Sequence, residues 1–66
     1  MTLNGAAREL PDGATVADAA AVAGVGPGER GVAVAVDGEV VAQADWPHAP
    51  LRADTHVEVV RATAGG

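Results

Sequence analysis

The chain has 66 residues, nine acidic residues against four arginines, and a formal net charge of −5. A domain of this length buries only about 60% of its unfolded surface, which excludes a large enzyme with its own deep substrate cleft. Cysteine, lysine, serine and tyrosine are absent, and an acidic chain without a basic stripe is a poor binder of nucleic acid or an anionic membrane, so a partner with a positive surface is favoured.

The start of the chain, Met1-Thr2-Leu3-Asn4, has no basic flank and no apolar run, so it does not read as a signal peptide. The longest apolar stretch, residues 19–25, is far short of the about 20 residues a membrane span needs. The expectation is a soluble cytoplasmic protein. Asn4-Gly5 is a two-residue hairpin signal, because both residues tolerate positive φ, and it predicts short strands near residues 1–4 and 6–10. Pro11-Asp12-Gly13 ends the second strand. Thr15 with Asp18 three residues later is a capping-box pair, and it opens an alanine-rich helix over 16–23. Val16, Ala19, Ala20 and Ala23 share one face at i, i+3, i+4, i+7 spacing, while Val22 lies off that stripe. Gly24 stops the helix.

Residues 24–31 read as a flexible connection. They contain a formal GxGxxG at Gly26, Gly28 and Gly31. A dinucleotide site needs that pattern to leave a strand and open a helix, and here the order is reversed. Val32-Ala33-Val34-Ala35-Val36 alternates β-branched residues with alanine and predicts a strand with its valines on one face. Asp37-Gly38 is a second hairpin turn, residues 39–44 the returning strand, and Trp46-Pro47 its end. Residues 48–54 form a crossover with room for one helical turn. Residues 56–61 form a last strand with Val57 and Val59 facing one way. The order is hairpin, helix, hairpin, crossover, strand. It predicts an α+β fold of the ubiquitin-like β-grasp type, with a mixed sheet of four to five strands and one main helix on one face. The domain spans residues 1–61, and residues 62–66 form a flexible C-terminal Gly-Gly tail. By analogy with that fold, the first and last strands pair in parallel at the sheet centre.

Side-chain chemistry is sparse. His48 and His56 lie eight residues apart without a third ligand nearby, and they read as surface histidines, with no metal site. The acids stand singly at turns, at a cap and on exposed strand positions, so no catalytic pair emerges. Trp46 is the only aromatic residue and reads as the largest side chain of a valine and alanine core. The remaining candidate is the main chain itself. Gly65-Gly66 closes the sequence and offers an unhindered α-carboxylate. Residues 62–66 reach about 16 Å when extended, add no bulk, and suit threading of Ala64, Gly65 and Gly66 into another enzyme's active site.

These residues in this order resemble the ThiS family, the small sulfur-carrier proteins of thiazole biosynthesis. The resemblance runs through Asn4-Gly5, Thr15-Val16, Val32 to Val41, Trp46, Leu51, Val57 to Val60 and Gly65-Gly66. The chain departs from the family pattern at Ala42-Gln43, where Pro-Arg is usual, and at Asp54-Thr55, where Gly-Asp is usual. Asp can occupy a left-handed turn position, so the fold tolerates the second change. The resemblance implies a carrier that is not itself an enzyme and binds no cofactor. A ubiquitin-activating-type adenylyltransferase supplies ATP and Mg²⁺ and adenylates the Gly66 carboxylate. A sulfur donor protein then leaves a thiocarboxylate, which thiazole synthase uses in making the thiazole of thiamin. The small subunit of molybdopterin synthase, a related β-grasp sulfur carrier, shares the Gly-Gly end and ranks second. A ubiquitin-like binding module or modifier is the third reading. Partner recognition is expected on the sheet face away from the helix, with Ala33, Ala35, Val40 or Val60 as candidates depending on the strand register, which the sequence leaves open.

Overall fold

Both Xaa-Gly pairs make the turns their φ tolerance suggests. In a computed structural model, which describes residues 1–26 and 28–62, Asn4 and Gly5 sit at φ 51° and 81°, and Asp37 and Gly38 at φ 51° and 85°. Two successive positive φ values give a turn whose twist matches that of the flanking strands. The first turn joins β1 (Thr2–Leu3) to β2 (Ala6–Ala7), and the second joins β3 (Val32–Val36) to β4 (Glu39–Val41). Helix α1 (Val16–Val22) lies between the hairpins, and β5 (His56–Arg61) follows a 3₁₀ helix at Gln43–His48.

The strands form one five-stranded sheet in the order β2-β1-β5-β3-β4. β5 pairs in parallel with β1, with Leu3 opposite Val57, and antiparallel with β3, with Val34 opposite Val59. The last strand is therefore central, as expected from the fold type. Asn4 carries the parallel pairing one step beyond β1. Its amide donates to the Val57 carbonyl at 2.9 Å, and its side-chain oxygen accepts the Val59 amide at 2.8 Å.

At the start of α1 the Asp18 carboxylate accepts the Thr15 amide at 2.8 Å. The Thr15 hydroxyl faces the Asp18 amide to complete the capping box without a strict hydrogen bond to it, and donates instead to the Asp18 carboxylate at 3.3 Å. Val16, Ala19 and Ala20 are buried and Val22 is exposed, so the stripe faces the sheet as its spacing requires. Leu3, Val16, Ala19, Ala20, Val25, Val34, Trp46 and Val57 form the core.

Three boundaries differ from the sequence expectation. β2 stops at Ala7, not residue 10: its bonding to the first strand ends with the Arg8 amide on the Met1 carbonyl, and Leu10 packs against the core. The strand expected over 39–44 ends at Val41. There the Trp46 indole donates to the Val41 carbonyl at 3.0 Å, and the Asp45 backbone amide donates to the Ala42 carbonyl at 2.8 Å. These bonds wind residues 43–48 into the 3₁₀ helix and leave Trp46 only 5% exposed. The helical turn expected within 48–54 thus lies earlier. Residues 49–51 are extended and tied to the helix entry, with Val16 donating to Ala49 and Leu51 to Ala14, both at 2.9 Å. Asp54 does not take the left-handed conformation. The turn is closed instead by the Thr55 hydroxyl, which accepts the Arg52 amide at 3.1 Å.

Candidate functional site

The expected site residues Ala64, Gly65 and Gly66 lie outside the described residues. What the structure describes is the ground from which that segment departs. β5 is paired on both sides at its start, by β1 at His56 and Val57, and on one side by β3 as far as Arg61, so its end is held by β3. Strand alternation divides its side chains. Val57 and Val59 turn under α1 and are buried or half-buried, while Glu58 and Val60 face outward.

The strand register resolves which outward residues form one surface. Ala33 lies opposite Val60, and Ala35 lies opposite both Val40 and Glu58, so all five share the helix-free face. Val40 is 69% exposed and Val60 58%, the two largest exposed apolar side chains on it. Directly opposite partners share a face, so the four residues expected from sequence form one patch. His56 stands near its edge. It shares a 2.6 Å hydrogen bond with the Thr2 hydroxyl, and its backbone amide donates to Asp37. His48 ends the 3₁₀ helix, so the two histidines occupy separate elements.

The loop after α1 is fastened, which its glycine content does not suggest. The Glu29 carboxylate accepts the Gly26 amide at 3.0 Å and the Arg61 guanidinium at 2.8 Å. Arg61 also donates to the Gly24 carbonyl at 2.7 Å, and Gln43 donates to the Glu29 carbonyl at 3.0 Å. The Arg61 hydrogen bond, with the Gly26 amide second, holds the Glu29 carboxyl below its ordinary value of 4.5. Arg61, Glu29 and Gln43 were not among the expected site residues. The available signal was the parity of β5, which puts Arg61 on the row of Val57 and Val59. The formal GxGxxG follows a helix and precedes a strand, as the sequence order requires.

Among the described residues no group of three histidine, cysteine, aspartate or glutamate side chains is placed to hold a metal ion. No helix of the described residues is long and apolar enough to cross a membrane.

A five-stranded mixed sheet with one main helix across one face and a parallel pairing of first and last strands define a ubiquitin-like β-grasp protein. A family model, the ThiS family, matches residues 1–66, the whole of the chain. The chain belongs to the ThiS family and is thereby a β-grasp sulfur carrier, a small carrier protein and not a catalyst, and the family implies interaction with an activating enzyme and a sulfur-using synthase in general. A search of curated proteins returned no match.

Proposed function

We propose that this carrier serves thiazole formation in thiamin biosynthesis, with its sulfur held as a thiocarboxylate on Gly66. The observation that carries the reading is the family match over the full chain, including the Gly65-Gly66 end. The chemistry requires Gly66 to be the terminal residue. Its carboxylate oxygen attacks the α-phosphorus of ATP in a ubiquitin-activating-type adenylyltransferase, and pyrophosphate leaves. The resulting acyl-adenylate carries AMP as a good leaving group in place of oxide. Sulfur delivered at the sulfide oxidation level by a donor protein attacks the carbonyl carbon, and AMP leaves. The thiocarboxylate then passes its sulfur to thiazole synthase. ATP and Mg²⁺ belong to the activating partner, and the carrier itself holds no cofactor.

The carrier's own contribution is presentation. Glycine at the last two positions lets the walls of a partner's active site close around the main chain. The helix-free face supplies the docking surface for the activating enzyme. Its valine and alanine patch is continuous with β5, the strand that leads to the reacting end. The net charge of −5 favours a partner whose rim is basic. The reading is tested by appending one residue after Gly66. ATP–pyrophosphate exchange with the purified adenylyltransferase is expected to stop while thermal unfolding is unchanged. Exchange at the wild-type rate would overturn it.

A further inference from the structure

The row of β5 beneath α1 reads Val57, Val59, Arg61, and only its last member is charged. Arg61 lies opposite Val32 at the end of the sheet, where the loop after α1 passes. Its Nε donates to Glu29 and its Nη2 to the Gly24 carbonyl, so one side chain spans both ends of that loop. Glu29 is held from two further sides by the Gly26 amide and the Gln43 side chain. The next residue, Ala62, donates its amide to the Gly31 carbonyl at 2.6 Å. A Cβ built on Gly31 would stand 3.7 Å from the Ala62 Cβ, so strand end and loop are in close approach there.

From this arrangement we infer that Arg61 and Glu29 are positioning residues for the carrier reaction: together they latch the root of the C-terminal segment to the loop after α1, so that an activating enzyme meets that segment from a fixed origin. The inference rests on the carrier reading and adds a residue-level device to it. A fold-stabilising role explains the pair poorly. The Arg61 and Glu29 side chains keep 47% and 33% of their surface in solvent, and exposed ion pairs add little to global stability. Pre-ordering has a clearer benefit. A chain that enters a partner's site must be fixed residue by residue, and each residue already fixed removes that entropic cost from association. The proposed chemistry asks no group of Arg61 or Glu29, so their effect belongs in KM for the carrier and not in kcat.

The test uses the full-length protein with a purified ubiquitin-activating-type adenylyltransferase. Arg61→Gln and Glu29→Gln are each expected to raise KM for the carrier in ATP–pyrophosphate exchange by roughly fivefold, about what re-fixing one backbone residue costs. The same variants keep kcat and thermal unfolding near wild type, while the Ala62 amide exchanges with solvent faster. The double variant is expected to be no worse than Arg61→Gln alone, because that substitution already removes the contact with Glu29 along with the bond to the Gly24 carbonyl. Arg61→Lys restores only part of the effect, since a single ammonium does not reproduce the guanidinium fork. Unchanged KM in both single variants would overturn the inference. So would impairment by Arg61→Gln alone, which would show that the contact with Glu29 is not what positions the segment. A wild-type protein that is not adenylated overturns the carrier reading itself, and the latch with it, and is recognised because the unmodified chain is the one that fails.

Discussion

Replacing Val40 and Val60 together by threonine probes the docking face most cleanly. Threonine keeps the β-branched shape and the strand preference, and changes a methyl into a hydroxyl. Val40 and Val60 hold 69% and 58% of their surface in water, so the fold makes little use of it. Complete burial of a valine stabilises by about 1.5 kcal/mol or more. The part still exposed therefore has about 1 kcal/mol per residue to contribute when a partner covers it. A buried hydroxyl without a partner forfeits that gain. The pair should weaken binding by about 2 kcal/mol, roughly thirtyfold in Kd. Isothermal titration calorimetry against the activating enzyme measures the affinity, and thermal unfolding of the free protein serves as the control. Surface changes of this kind shift stability by no more than about 0.5 kcal/mol. An unchanged Kd with both threonines in place would show that the partner docks elsewhere and would refute the assignment of this face.

Trp46→Ala should destabilise the domain by about 3–5 kcal/mol, a large part of what a chain this short has, because it empties the core and removes the donor to the Val41 carbonyl. Urea unfolding followed by circular dichroism measures this, and a loss below about 1 kcal/mol would contradict the core role of the indole. Acidification should open the contact between Glu29 and Arg61. The Glu29 carboxyl is depressed below 4.5, so the interaction is whole above the unfolded value and fades as pH falls through the lower folded value. Carboxyl chemical shifts in an NMR titration would show a Glu29 midpoint below 4.5, and a midpoint at or above that value would contradict the contact.

Much of this fold was legible in the chain. Asn4-Gly5 and Asp37-Gly38 imposed their turns because few other dipeptides hold two positive φ values. The alternation in residues 32–36 and 56–61 set both central strands because one face had to be buried. The returning strand was less legible. Val40, Val41 and Ala42 are suited to a strand, but burial of Trp46 and capture of the Val41 carbonyl outweigh local preference. The glycines of residues 24–31 suggested looseness, yet the loop's order comes from Glu29, Arg61 and Gln43, which converge from three separate elements. Such long-range polar contacts have no periodicity to reveal them. Gln43 is instructive here. It stands where the resemblance leads one to expect a basic residue, and in this chain its exposed side chain donates to the Glu29 carbonyl. The four patch residues were legible only as alternatives, and it is the register that puts them on a common face.

The central claim concerns one functional group. The most direct measurement is the intact mass of the chain after co-expression with its activating enzyme and a sulfur donor. The account predicts a species heavier by about 16 Da, the exchange of one carboxylate oxygen for sulfur, with fragmentation placing the change on Gly66. A chain that stays at its unmodified mass under those conditions, or that carries the added mass on any other residue, would contradict it.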